Sequence, residues 1–233
     1  MGGIMDENDL PEVPDFPDFP EAGPAPVVLL HGAGQMPTMW QNQVEALGAQ
    51  TKAIAPWLEG LRPGRPHDVS LVKASAGLIS TLDLSGIRRA RVVAHQFGAM
   101  VALQTAVDAP ERIEKMVLSG AVVLPGKLAL AMQKAVIKLL PPGQLANAGA
   151  TKEDLIHALE VMAQADFSQR LGEIATPTLI ICCEGDTAGL SYAKLLADQL
   201  PNAELKLVPG NSPVPMQTAP QEYNEAMLKF FDQ

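Results

Sequence analysis

Short apolar runs alternating with stretches of helical spacing set the rhythm of this chain. Val27-Val28-Leu29-Leu30 is a continuous apolar run ending at His31-Gly32-Ala33-Gly34, the pattern of a buried strand closed by a turn. Residues 37 to 48 place Trp40, Val44 and Leu47 at helical intervals and predict a helix. A second strand is expected over Lys52 to Pro56, a Pro/Gly loop at Pro63, Gly64 and Pro66, and a helix over 70 to 84. Arg91 to Ala94 reads as a strand followed at once by a helix to about Asp108, and Lys115 to Ser119 as a further strand. Strands alternating with helices argue for a mostly parallel sheet, because each crossover lays a helix on one of its faces.

Residues 121 to 168 break that rhythm. Two apolar helical stretches, about 126 to 140 and 151 to 165, flank Pro141-Pro142-Gly143, and no strand is evident. They read as a small helical cap. The alternation then resumes with a strand over 178 to 183, a helix over 188 to 200, a strand over 204 to 208 and a final helix over 220 to 232. The expected organisation is an arm over 1 to 24, an α/β core over 25 to 120 and 169 to 233, and a cap over 121 to 168.

Charge separates the arm from the rest. Residues 1 to 51 hold eight of the 26 acids and none of the 17 Lys and Arg, so the remaining 18 acids nearly balance the bases. Residues 11 to 22 form a triplet repeat, Pro-Glu-Val, Pro-Asp-Phe, Pro-Asp-Phe, Pro-Glu-Ala. A polyproline II helix has three residues per turn, so in that conformation Val13, Phe16, Phe19 and Ala22 share one face of a stiff rod ~37 Å long. The arm reads either as a disordered acidic leader or as an apolar stripe that docks on the domain or on a protein partner. Neither part has the basic surface that nucleic acid requires.

No apolar run approaches the roughly 18 residues of a membrane span. The acidic opening is unlike a signal peptide, and Asp6 stands where a myristoylation pattern wants Ser or Thr. A cytoplasmic protein without membrane association is expected. Cys182 and Cys183 are adjacent in an apolar run and read as core, with no metal site and no cofactor implied.

The chemistry should lie where a strand turns sharply into a helix, because small residues flanking such a turn lift one side chain above the sheet's carboxyl edge. That segment is Ala94-His95-Gln96-Phe97-Gly98, with Gln96 at the apex. In this feature the chain resembles the α/β-hydrolase superfamily, and the likeness runs from residue 25 to the end. His31-Gly32-Ala33-Gly34 resembles the family's oxyanion-hole loop, and Trp40 falls where many members carry a tryptophan. The run from Asp166 to Asp186 is similar to the cap exit, next strand and catalytic acid, with Asp186 at the acid position. Residues 207 to 231 resemble the closing strand, histidine loop and helix, with Pro213 on the catalytic histidine. The resemblance implies an α/β-hydrolase fold, a mostly parallel sheet with helices on both faces and a small helical cap.

The departures from the pattern bear on mechanism. A serine works because a neighbouring histidine takes its proton, whereas the neutral amide of Gln96 is a poor nucleophile. Pro213 has neither a basic nitrogen nor a side-chain donor. Of the triad-equivalent positions Gln96, Asp186 and Pro213, only Asp186 matches the family, and ordinary hydrolysis is not expected. His31 reads as structural, His95 as a hydrogen-bonded turn residue pointing away from the apex, His67 as a loop residue, and Ser212 as a hydroxyl without a base. The backbone N–H groups of Ala33 and Phe97 would still form an oxyanion hole. Together with Gln96 and, from the cap, His157, they are the candidate ligand-binding set. The expectation is a non-hydrolytic pseudoenzyme holding a small carbonyl-containing or apolar ligand, or a protein partner. The alternative is an enzyme of unconventional chemistry: a lyase, isomerase, cyclase, or hydrolase using a displaced residue.

Overall fold

Among the described residues six strands rich in Val, Leu and Ile pair in parallel throughout, in the order β2-β1-β3-β4-β5-β6. They are β1 (Val27–Leu30), β2 (Ala53–Ile54), β3 (Ala90–His95), β4 (Ile113–Ser119), β5 (Thr178–Cys183) and β6 (Ala203–Val208). The computed structural model describes residues 25–62, 69–123, 127–141, 151–165, 167 and 169–233. The arm over 1–24, the loop with His67, and Pro142-Gly143 lie outside them.

Helices cover both faces. α1 (Gln41–Leu47) and α8 (Pro220–Phe231) lie on one, with the short α7 (Pro215–Thr218); α2 (Leu71–Leu84), α3 (Phe97–Asp108) and α6 (Thr187–Gln199) lie on the other. Because side chains alternate along a strand, Val28, Leu30, Val92 and Ala94 join the α2/α3 core while Val27, Leu29 and Val93 join the α1/α8 core. Between β4 and β5 stand α4 (Lys127–Leu139) and α5 (Lys152–Gln164). α5 starts on a capping box, in which Thr151 and Asp154 each accept from the other's backbone N–H. Ala158 and Met162 then bury its inner face in the core that holds Phe97 and Leu30.

Residues 37 to 48 are not one helix. Pro37–Trp40 forms a 3₁₀ turn and α1 begins only at Gln41. A 3₁₀ turn takes three residues rather than 3.6, so the apolar register does not carry across the junction. Val44 consequently faces solvent, 42% exposed, while Gln43 is buried and donates to the Met216 carbonyl at 3.1 Å and to Asn224 at 2.8 Å. The second strand is shorter than expected, two residues at the sheet edge. α7, between Pro215 and Pro220, has no counterpart among the expected elements.

Candidate functional site

The carboxyl end of β3 delivers the chain into α3 through a single residue. Gln96 has φ 46° and ψ −113°, and among the described residues it alone has a positive φ without being glycine. Its N–H donates to the Ser119 carbonyl at 2.9 Å and its carbonyl accepts from Met100 at 3.1 Å, so both backbone groups are anchored. The turn is this tight because α3 crosses β1 closely. A β-carbon at Gly98 would lie 2.7 Å from the His31 carbonyl oxygen, and closer still to that of Leu30.

Gln96 is half-buried, and its side chain reaches the turn that follows β1. A β-carbon at Gly32 would stand 2.8 Å from Gln96 Oε1. Gln35 reaches the same glycine, its Oε1 accepting from the Gly32 N–H at 2.9 Å. Two side-chain amides therefore converge on Gly32, an arrangement without any signal in the spacing of the residues. Ala33 is half-buried beside them, and Phe97, fully buried, opens α3, so its N–H has no helical carbonyl to bond. Leu155 of α5 rests against Gly34 and brings that helix over this turn.

Asp186 caps α6, with Oδ1 accepting from the Gly189 N–H at 3.0 Å. Its loop is laced to the one after β6, since Glu184 N–H donates to the Val208 carbonyl at 3.0 Å and Gly185 N–H to the Gly210 carbonyl at 2.8 Å. Pro213 stands exposed on that second loop. The Ser212 hydroxyl accepts from the Val214 N–H at 3.2 Å, a local turn contact.

The described histidines have other occupations. His31 is buried, with Nδ1 2.8 Å from the Gly32 carbonyl and Nε2 accepting from Leu58 N–H at 3.3 Å; burial lowers its pKa. Both ring nitrogens are thereby used. His95 ends β3 on the α1/α8 side, with Nδ1 3.1 Å from the Ser119 hydroxyl, and complete burial holds its pKa down at about 3. His157 stands on the flank of α5, 48% exposed and 4.0 Å from Glu160, whereas Asp154, Ala158 and Met162 line the inward face. The Cys182 thiol is pushed up to about 11, by burial first and then by Asp186 and Cys183, so it holds little thiolate near neutral pH.

A model of the alpha/beta hydrolase family matches residues 27–226. The chain is 29% identical over 216 residues to "Putative carbamate hydrolase RutD" of Klebsiella pneumoniae, covering 77% of this chain and 81% of that protein. It is 25% identical over 239 aligned positions to the protein of the same name from Azorhizobium caulinodans, covering 88% and 90%. Among solved structures it resembles MGS-M2, an alpha/beta hydrolase enzyme from a Medee basin deep-sea metagenome library, with a TM-score of 0.78, 21% identity and coverage of 100% and 92%. It also resembles a thermophilic esterase from Thermogutta terrifontis, with a TM-score of 0.75, 18% identity and coverage of 90% of each chain. At these identities the structural matches speak for the fold alone.

Proposed function

The chain belongs to the α/β-hydrolase family, and on that premise we propose that it is a non-hydrolytic member whose elbow binds a small carbonyl compound. One observation carries the reading: Gln96 occupies the apex in the strained left-handed backbone that such a turn demands. The turn has kept its geometry while its side chain has lost nucleophilic chemistry. Pro213, on the loop after β6, supplies no base; His31 has both ring nitrogens engaged, His95 is fully buried with Nδ1 against the Ser119 hydroxyl, and His157 stands half-exposed on the flank of α5. Backbone N–H groups at Ala33 and Phe97 need only geometry to hold a carbonyl oxygen, and that geometry is independent of the nucleophile.

The carboxamide of Gln96 offers an acceptor and two donors in one plane. Its best complement is a ligand presenting a carbonyl and an N–H side by side, such as a carbamate, a urea or a primary amide. The carbamate-hydrolase name of the curated relatives points to the same class. Recognition of a carbamate would then outlast its hydrolysis.

The test is an amide-resolved NMR titration of the full chain with methyl carbamate, run alongside a fluorophosphonate probe. Saturable shifts at Ala33, Phe97 and the Gln96 side chain, lost in Gln96→Ala, are expected without turnover. Release of product from the carbamate, or stoichiometric labelling of a serine, would overturn the proposal.

A further inference from the structure

β6 is the last strand of the sheet, and among the described residues no strand lies beyond it. The carbonyls of Asn202 and Val208 point back to β5, accepting from the Thr178 N–H at 2.9 Å and the Glu184 N–H at 3.0 Å. Backbone direction alternates along a strand, so Glu204 and Lys206 between them also bond β5. Ala203, Leu205 and Leu207 therefore aim their N–H and C=O groups outward, a row of main-chain donors and acceptors open to another strand. The side chains alternate too. Ala203 and Leu205 pack toward the α2/α3 core, while Glu204 and Lys206 are exposed on the face where Val208 joins the α1/α8 core. Leu207 is 37% exposed.

We propose that a second copy of the chain occupies this edge, its β6 running antiparallel about a two-fold axis at Leu205. Ala-Glu-Leu-Lys-Leu, residues 203 to 207, is complementary to its own reverse. With Leu205 opposite Leu205, Glu204 meets Lys206 of the second copy, Lys206 meets its Glu204, and the exposed Leu207 meets its Ala203. A foreign strand would need that same alternation of charge, whereas a second copy carries it by symmetry.

The backbone fits the same arrangement. In an antiparallel ladder, opposed residues alternate between pairs that exchange two hydrogen bonds and pairs that exchange none. Ala203, Leu205 and Leu207, whose backbone groups face outward, fall on the bonded positions. Glu204 and Lys206 fall on the non-bonded ones, where Cα atoms approach to about 4.5 Å and opposed side chains lie closest. Moving the axis to Glu204 or to Lys206 keeps the ladder but sets like charge on like. A lone lysine on an edge strand repels an incoming strand. With a glutamate two residues before it on the same face, it fixes the register instead.

Analytical ultracentrifugation of the full chain over a dilution series tests the contact, comparing wild type with Glu204→Lys, with Lys206→Glu, and with the two exchanged together. Both side chains are exposed, so the fold of each variant should hold. Wild type should sediment at twice 24.7 kDa and dissociate on dilution. Either single reversal creates two like-charge pairs and should weaken the dimer about tenfold or more. The double exchange should restore the wild-type constant, and an equimolar mixture of the two single variants should form a heterodimer. A wild-type chain that stays at 24.7 kDa at every concentration overturns the proposal. So does a dimer indifferent to both single reversals, which assigns the contact to another surface. Ligand binding at Gln96 is not involved in any of these outcomes.

Discussion

Gly98 passes the Leu30 carbonyl so closely that no side chain fits between α3 and β1. The atoms in the way are backbone, which cannot swing aside as the end of a flexible side chain can. This crossing sets how far β3 can deliver Gln96 above the sheet, and so it supports the whole site. Gly98→Ala should lower stability by about 1–3 kcal/mol, the usual cost of overpacking. An unchanged urea midpoint would show that α3 can shift without penalty.

The same elbow stores strain at its apex. A glutamine held at φ 46° and ψ −113° sits where glycine is far more comfortable, at a cost of order 1–3 kcal/mol. Gln96→Gly relieves that strain and gives back part of it as unfolded-state entropy. The net expectation is a gain of about 1 kcal/mol in urea unfolding, with loss of carbamate binding. A less stable Gln96→Gly protein would mean that the side chain's contacts at Gly32 outweigh the strain.

Much of this was legible in the chain because burial writes itself into apolar runs. β5 matched its expected limits, 178 to 183, because all six residues are buried and a proline precedes them. The elbow was legible because Ala94 and Gly98 are small on both sides of one polar position. What escaped depended on partners distant in sequence or on a change of helical pitch. Gln43 looks like a surface glutamine until Met216 and Asn224 arrive from the far end of the chain. Val44 looks like core until the 3₁₀ turn shifts the register. Gln35 gave no sign that its amide would bond Gly32, since nothing in its spacing separates it from any loop glutamine.

The sequence resemblance would put Asp186 at the family's acid position, and the work the structure shows for it is to cap α6. Asparagine caps a helix nearly as well as aspartate, whereas alanine does not. Asp186→Ala should therefore cost about 1 kcal/mol in stability and Asp186→Asn almost nothing. Carbamate affinity should stay the same in both, since Pro213 gives the carboxylate no imidazole to orient. A loss of affinity in Asp186→Asn, measured by the same NMR titration, would show that the acid still serves the site.

His95 makes the folded chain sensitive to acid. It is fully buried and resists protonation down to about pH 3, whereas an unfolded histidine titrates near 6.5. Between those values the unfolded state binds the extra proton, so stability rises with pH from about 3 to about 6.5 and is lost as pH falls. The slope from one such histidine approaches about 1.4 kcal/mol per pH unit below its unfolded pKa. His31, lowered by burial as well, adds in the same direction. His95→Asn keeps a polar atom near Ser119 and removes the titration. Its stability should be lower near neutral pH, through lost packing, but should fall less steeply as the solution is acidified from about pH 6 to about pH 4. Urea unfolding across that range would read the difference as about one proton. Parallel curves for the variant and the wild type would mean that acid unfolding is driven elsewhere, with His31 the next residue to replace.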